Sequence, residues 1–232
     1  MEVDTKADTK ADSTYDTVYY NEKIESIIKI QSWLKKNYYI SDVNLFTILN
    51  NEEKLVPVKR KIEYLLNEFG TKEACNRFDV GNCIEYILCE LLKESGLRVE
   101  GLPNARRIDL KIVRYGGLSI KYSSVGDITL HNSNSCINKD ESFTDTLVMT
   151  CDKLYLITNK FLLENKIDIK EYIKNTGDSL KLKRSILKRI EKTRNAYIIN
   201  FKLEINKKEC KNRLTSRLFY EKMTEEYNTV NP

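Results

Sequence analysis

Residues 107–124 read RIDLKIVRYGGLSIKYSS. On both sides of the Gly116-Gly117 pair, apolar residues alternate with polar ones, which is typical of strands with one solvated face. A Gly-Gly pair between two such strands predicts a β-hairpin. Its first strand carries an acid, Asp109, and its second carries Ser119 and Lys121. Because an acid and an ammonium on adjacent strands can hold a divalent metal and activate a water, this hairpin is the best indication of function in the chain.

The length of the hairpin loop decides whether the acid and the lysine meet. Side chains alternate between the two faces of a strand. A two-residue turn at the glycines would pair Ile112 with Lys121 and put Asp109 on the opposite face. A three-residue loop or a bulge would pair Lys111 with Lys121 and bring Asp109 onto the same face, near Ser123. An active site here therefore requires an odd loop; the alternative is an ordinary exposed hairpin with scattered charges.

Composition and charge indicate a globular protein with an acidic partner. The chain has 232 residues, 31% of them charged, and a net charge of +5. Residues 159–222 contain 18 Lys and Arg against 8 Asp and Glu. A basic C-terminal third favours a polyanionic partner, of which nucleic acid is the commonest, although a solvated basic helical surface would have the same composition.

The order of predicted elements indicates an α/β or α+β fold, with a mixed β-sheet flanked by helices, N-terminal helices and a basic C-terminal helical part. We expect a flexible polar tail over residues 1–18 and a single domain over 19–232. Helices are predicted near residues 22–34, after Ser41-Asp42, at 56–69 and at 79–95. Strands are predicted at 97–100, 108–113, 118–123, 128–131 and 153–158. Helices at 160–164, 169–175 and 180–192, a strand at 196–203 and a final helix at 207–227 complete the prediction.

Cysteine and histidine usage excludes a zinc finger. The six cysteines form no CxxC pair, and His131 is the single histidine. No cleavable signal sequence and no long apolar run occur, so we expect a cytoplasmic protein with free thiols and no membrane association.

Glu85 is unusually placed on the helix predicted at 79–95. Val80, Ile84 and Leu88 belong to one apolar stripe, and Glu85 projects at its margin. A carboxylate there is costly unless a positive or hydrogen-bonding group meets it. It is either a salt bridge at the flank of the helix or a carboxylate directed at a metal site beside the sheet.

These features together resemble the PD-(D/E)xK nuclease superfamily: a helix with a glutamate, a strand with Asp109, a Gly turn and a strand with x-Lys121. The segment from Ser119 to Ile128 is most similar to type II restriction endonucleases. The resemblance covers about residues 78–134. It implies a restriction-endonuclease-like core.

The resemblance assigns roles position by position. Asp109 matches the acid that binds Mg²⁺, the main-chain carbonyl of Ile120 a further metal ligand, and Lys121 the lysine that orients or deprotonates the attacking water. Two positions depart from the pattern. Ile108 replaces the proline before the aspartate, and Ser119 stands where Asp or Glu is expected. Because one carboxylate and one carbonyl hold Mg²⁺ poorly, a second carboxylate is needed, and Glu85 is the first candidate, with Asp127 and Glu141 behind it.

A polar stretch after Lys121 and the basic C-terminal helices could contact DNA. Ser and Asn side chains reach phosphates and base edges, and Lys and Arg suit the backbone. His131 is either such a contact or a structural residue, and each of the others could equally be an ordinary surface residue. The candidate DNA-binding residues are Ser123, Ser124, Asp127, His131, Asn132, Asn134, Lys183, Arg184 and Lys188.

The resemblance therefore predicts a Mg²⁺-dependent type II restriction endonuclease that cuts double-stranded DNA as a homodimer, with a cognate DNA methyltransferase in the same host. Dimerisation follows from the class, because a palindromic site matches two-fold symmetry. The alternatives are a structure-selective or repair nuclease of the same fold, and a catalytically inactive DNA-binding protein that kept the fold.

Overall fold

The structure, a computed structural model, describes residues 23–29, 39–70, 74–102, 108–132, 143–176, 179–206 and 214. The chain divides into two units, residues 1–40 and residues 41–232. In the first unit, residues 23–29 form a helix inside the range that the sequence predicted. The predicted tail at 1–18 and nearly all of the predicted helix at 207–227 lie outside the described residues.

Three helices open the second unit: α1 (Asp42–Leu49), α2 (Glu52–Glu68) and α3 (Ala74–Glu94). Helix α1 begins as predicted, because Ser41 and Asn44 exchange side-chain and main-chain hydrogen bonds in a capping box. Helix α2 begins four residues before the predicted start, where Asn51 Oδ1 accepts the amide of Lys54. Gly96, at φ 85°, lies just beyond α3 in the left-handed conformation of a helix C-terminus.

Within the described ranges, nine strands form two sheets. In chain order they are β1 (Val99–Gly101), β2 (Leu110–Ile112), β3 (Gly116–Tyr122), β4 (Ile128–Asn132), β5 (Thr146–Met149), β6 (Lys153–Ile157), β7 (Ile173–Asn175), β8 (Ser179–Leu182) and β9 (Ile198–Asn200). The larger sheet has the order β1-β2-β3-β5-β6-β9, and the smaller has the order β4-β8-β7. All neighbours are antiparallel except β3 and β5, which are parallel. The predicted mixed sheet with flanking helices is confirmed.

Strand β3 lies in the interior of the larger sheet. Leu118, Ser119 and Ile120 are buried one after another, so both faces of the strand are covered. Helix α3 packs against β1 and β3, and α2 packs against α3. A hydrophobic core joins β5 and β6 to β4, β8 and two further helices, α4 (Asn159–Glu164) and α5 (Ser185–Glu191). Among the described residues, no helix is long and apolar enough to cross a membrane.

The predicted helices at 169–175 and 180–192 are partly wrong. Residues Ile169–Tyr172 form one turn of 3-10 helix, after which β7 and β8 pair with each other, and β8 pairs with β4. Only α5 remains of the second predicted helix. Strand β5, which the sequence analysis missed, has four successive buried residues and therefore lacks the alternation by which strands are recognised.

The hairpin loop has the odd length that an active site requires, but it lies earlier than predicted. Ile112 pairs with Gly116, so the loop is Val113-Arg114-Tyr115 and both glycines belong to β3. Arg114, at φ 71°, supplies the left-handed residue of the loop. Lys111 pairs with Gly117, and the predicted pairing of Lys111 with Lys121 is wrong.

Gly117 is needed because Ile108 lies directly over it. A Cβ atom at residue 117 would lie 2.6–3.0 Å from three side-chain atoms of Ile108, two of them attached to its Cβ. Such an approach cannot be relieved by moving the tip of a side chain alone. The residue before Asp109 is therefore packed against the strand that carries Ser119 and Lys121.

We expect Gly117→Ala to lower the free energy of unfolding by about 1–3 kcal/mol, the usual cost of overpacking. Urea denaturation measures the change. Gly101→Ala is the matched control, because Gly101 also lies in a strand and a Cβ there has no neighbour within 4 Å. Equal stability of the two variants would contradict the close packing of Ile108 on Gly117.

Candidate active site

One oxygen of Asp109 connects the two strands of the hairpin. Oδ2 of Asp109 accepts hydrogen bonds from Ser119 Oγ at 2.9 Å, from the Ile120 amide at 2.5 Å and from Lys121 Nζ at 2.9 Å. The side chains of Lys121 and Asp109 are 20% and 12% exposed. Hydrogen bonds to ionised groups are among the stronger ones in proteins, and burial strengthens them further. The predicted Asp109, Ser119 and Lys121 are therefore in direct contact.

This contact forms where the β2–β3 ladder ends. If the ladder continued beyond the Leu110–Leu118 pair, the amide of Ile120 would face the main chain of Ile108. Strand β2 begins at Leu110 instead, and the Asp109 carboxylate accepts a hydrogen bond from the amide of Ile120. The side chain of Asp109 thus replaces a main-chain acceptor, and lies opposite Ser119 and not near Ser123 as predicted.

The main-chain carbonyl of Ile120 lies on the same side of β3. The amide of Ser119 donates to the carbonyl of Asp145, just before β5, and the amide of Ser123 donates to the carbonyl of Met149 in β5. Alternate residues of β3 therefore direct their main-chain groups towards β5. The intervening Ile120 directs its amide and its carbonyl towards β2, where Asp109 lies. The role of the Ile120 carbonyl as a metal ligand stays a prediction.

Glu85 belongs to the same electrostatic environment. It lies on α3, is half-buried, and is on the helix that packs against β3. Burial and the neighbouring charge of Asp109 raise the pKa of Glu85 from 4.5 to about 7, and Lys121 opposes the shift. A carboxylate buried beside a second carboxylate favours a proton or a cation. The charges of Asp109 and Lys121 both act on Glu85, and its role as a metal ligand stays a prediction.

The described residues contain no group of three His, Cys, Asp or Glu side chains that could hold a metal ion. The site instead offers two carboxylates, Asp109 and Glu85, and the carbonyl of Ile120. All three are oxygen ligands, which Mg²⁺ and other hard cations prefer. Asp127 is exposed and accepts the amide of Arg184 at 3.1 Å. Glu141, the other alternative, lies outside the described residues.

A polar network that the sequence analysis missed holds the hairpin loop. The hydroxyl of Tyr115 donates to Asp145 Oδ2 at 3.1 Å, and its pKa is raised by burial and by the charges of Asp145 and Asp42. Asp42 is buried and accepts Thr158 Oγ1 at 2.6 Å. Asp145 accepts the amide of Asn159, and its main-chain oxygen accepts the amide of Ser119. The network therefore extends from the loop to the strand of the site.

Three candidate DNA-binding residues after β3 have contacts within the protein. Ser123 is buried, and its hydroxyl donates to the carbonyl of Val125 at 3.1 Å. The carbonyl of Ser124 accepts from the guanidinium of Arg184 at 3.3 Å, and Asp127 accepts the Arg184 amide. Arg184 thus binds this loop from the start of α5.

The other candidate DNA-binding residues lie in several places. Lys183 is exposed and donates to the carbonyl of Glu171 at 2.8 Å, and Lys188 is exposed on α5. His131 and Asn132 belong to β4, which is paired with β8. Asn134 lies outside the described residues. A DNA contact stays a prediction for all of these residues.

The comparisons with known proteins support the fold. A solved structure described as "Restriction endonuclease in complex with substrate DNA" matches 78% of this chain and 99% of its own chain, with 18% sequence identity and a TM-score of 0.50. No model of a known family and no curated protein matches the chain. The fold is therefore restriction-endonuclease-like, as the resemblance implied.

The raised pKa of Glu85 predicts a specific pH dependence of stability in metal-free buffer. Between pH 4.5 and about pH 7 the folded protein retains a proton that the unfolded chain has released. Raising the pH through this window therefore destabilises the fold, by about 1–3 kcal/mol for a half-buried group. Glu85→Gln should abolish this part of the pH dependence.

Urea denaturation at pH 5 and pH 8 in the presence of a chelator measures the effect. Glu90→Gln is the matched control, because Glu90 lies on the same helix and pairs with Lys93 at 2.9 Å. If Glu85→Gln and the wild type lose the same stability between the two pH values, the carboxylate is not in the environment that the structure shows.

Proposed function

We propose that this protein is a Mg²⁺-dependent endonuclease that hydrolyses phosphodiester bonds of double-stranded DNA. One observation carries the proposal: Asp109, Ser119 and Lys121 meet at the open end of the β2–β3 ladder, beside a second carboxylate, in a restriction-endonuclease-like fold. The solved neighbour is itself a complex with substrate DNA. This supports DNA as the partner.

The chemistry of the ligand set fits Mg²⁺. Asp109 raises the pKa of Glu85, so the two carboxylates repel each other when both are ionised. A divalent cation held by Asp109, Glu85 and the Ile120 carbonyl would remove this repulsion. When bound, Mg²⁺ would offset the negative charge that develops on the phosphate during hydrolysis and make a bound water more acidic.

Lys121 is the residue that acts on the reacting groups. In hydrolysis a water oxygen forms a bond to phosphorus and releases a proton to solvent, while the bond to the leaving oxygen breaks and that oxygen takes up a proton from solvent. The ammonium of Lys121 orients this water and stabilises the charge on the phosphate oxygens, because it is an ionised donor in a half-buried site. Asp109 holds the ammonium at 2.9 Å and so determines its position before DNA binds.

Ser119 has a positioning role in this proposal. It stands at the position where the resemblance expects an acid, and its buried hydroxyl donates to Asp109 Oδ2. The hydroxyl leaves the site one negative charge short of the expected set, and Glu85 supplies that charge from α3. The role of Glu85 thus follows from the neutrality of Ser119.

We further propose that cleavage is site-specific, as in a type II restriction endonuclease. A homodimer acting on a palindromic site, with a cognate methyltransferase protecting the host DNA, would follow from that class. The basic residues of the segment 159–222, Lys183 and Lys188 among them, would bind the phosphate backbone. A repair nuclease of the same fold would use the same chemistry and cut at DNA structures in place of sequences.

Ser119 supports a second candidate function, a catalytically inactive DNA-binding protein. If Glu85 does not supply the missing carboxylate, one carboxylate and a carbonyl remain, which hold Mg²⁺ poorly. Digestion of a sequenced plasmid with Mg²⁺, followed by run-off sequencing of the ends, separates the possibilities. Discrete fragments would indicate a restriction endonuclease, whereas cleavage at junctions or flaps would indicate a repair nuclease. Intact DNA with retained binding indicates the inactive protein.

Substitution at the site should separate cleavage from binding. We expect Asp109→Ala and Lys121→Ala each to reduce kcat/KM by at least about 10²–10³-fold, because each removes a group that acts in the transition state. Binding of duplex DNA, measured by fluorescence anisotropy with Ca²⁺, should survive both changes.

Lys153→Ala is the matched control, because Lys153 forms a comparable ion pair with Glu191 at 2.6 Å but lies on β6. It should cut at the wild-type rate. Retained cleavage in Asp109→Ala or Lys121→Ala would show that the hairpin is not the active site.

A further inference from the structure

The loop of residues 123–127 follows directly from the strand that carries Lys121 and is held at several points. Ser123 Oγ donates to the Val125 carbonyl at 3.1 Å, and the Arg184 guanidinium donates to the Ser124 carbonyl at 3.3 Å. Asp127 accepts the Arg184 amide at 3.1 Å. Gly126, at φ 78°, allows the chain to turn between these contacts. The loop is therefore fixed relative to the catalytic strand.

Val125 is presented to solvent by this loop. It is 81% exposed, the highest value among the exposed large apolar residues that the structure describes. Its neighbours in the loop are serine, glycine and aspartate. Single exposed apolar residues are common on protein surfaces. This one is carried by a braced loop that continues directly from the strand with Lys121, and rigid supports of this kind suit recognition elements.

The distance along the chain places Val125 close to the DNA that the site would cut. Four residues separate it from Lys121, so the two Cα atoms are at most about 14 Å apart. Successive base pairs rise about 3.4 Å along the duplex axis. This span between the two Cα atoms corresponds to about four base pairs along the duplex, which we take as the window for a contact of Val125.

We propose that Val125 is a specificity-determining residue that contacts the methyl group of a thymine within about four base pairs of the cleaved phosphate, and that Arg184 positions it. This inference rests on the proposed function. Valine has no hydrogen-bonding group, so of the base features in the grooves it can read only an apolar one, and the thymine methyl in the major groove is that feature. The residues that act as wedges between base steps are larger or more rigid.

Substrates in which single thymines are replaced by uracil test the contact, because uracil lacks only the methyl group. With the wild type, we expect kcat/KM to fall about fourfold at one position within four base pairs of the cut, the value of one buried methyl group. Val125→Ala should reduce that thymine-to-uracil ratio towards one. Val43→Ala, which truncates another exposed valine, on α1, should keep the wild-type ratio.

Arg184→Ala distinguishes positioning from a simple phosphate contact. If Arg184 holds the loop, the thymine-to-uracil ratio falls in this variant as in Val125→Ala. A lost phosphate contact would weaken binding to all sequences alike and leave the ratio unchanged, which would overturn the positioning role. Circular dichroism confirms that both variants are folded.

The outcomes separate this inference from the proposed function. If the wild type cuts DNA but no thymine in the window shows an effect, or if Val125→Ala retains the full effect, the inference is wrong and the endonuclease remains. If the wild type does not cut unmodified DNA at any site, the proposed function fails and the inference fails with it.

Discussion

The hydrogen bonds to a single carboxylate oxygen, Oδ2 of Asp109, determine the geometry of the candidate site. Three donors converge on it, from Ser119, Ile120 and Lys121. Where the ladder between β2 and β3 ends, a main-chain amide of an interior strand would otherwise lack its partner, and leaving such a group unsatisfied costs about 1–3 kcal/mol. The same carboxylate satisfies that amide and pairs with the lysine. Structure and chemistry therefore depend on the same atom.

The charge balance around this atom bears on how the proposed activity could do without the expected second acid on β3. A buried serine next to Asp109 adds a donor and no charge. Glu85 approaches from α3 at an energetic cost, which is visible in its raised pKa. Such a cost is typical of functional positions, where perturbed carboxylates are concentrated. A bound cation would make ligands of the two carboxylates, Asp109 and Glu85, which repel each other without it. The same repulsion would therefore destabilise the metal-free protein and favour the metal ion that the proposed activity needs.

Local sequence patterns predicted much of this architecture, and long-range contacts account for the rest. The Ser41 cap, the helix with Glu85 and the hairpin with Asp109 and Lys121 are encoded by nearby residues, and all of them were predicted. The Gly116-Gly117 pair was misassigned to the turn, because Gly117 is required by the packing of Ile108 and not by a turn conformation.

Other elements carried no local signal. Strand β5 is buried on both faces, and β7 and β8 become strands by pairing with each other and, in β8, with β4. The contacts of Tyr115 with Asp145 and of Arg184 with Ser124 span 30 and 60 residues of the chain. No spacing rule connects residues at such distances, so the loop that fixes Val125 could be recognised only in the folded structure.

The central claim is that Asp109 and Glu85 together hold one divalent cation. Isothermal titration calorimetry of Mg²⁺, or of Mn²⁺ where affinity is low, tests it directly on the folded wild type and on Asp109→Asn and Glu85→Gln. We predict one site per chain in the presence of a DNA duplex, with binding lost or severely weakened in both variants. Binding to Glu85→Gln with the affinity and stoichiometry of the wild type would contradict the claim.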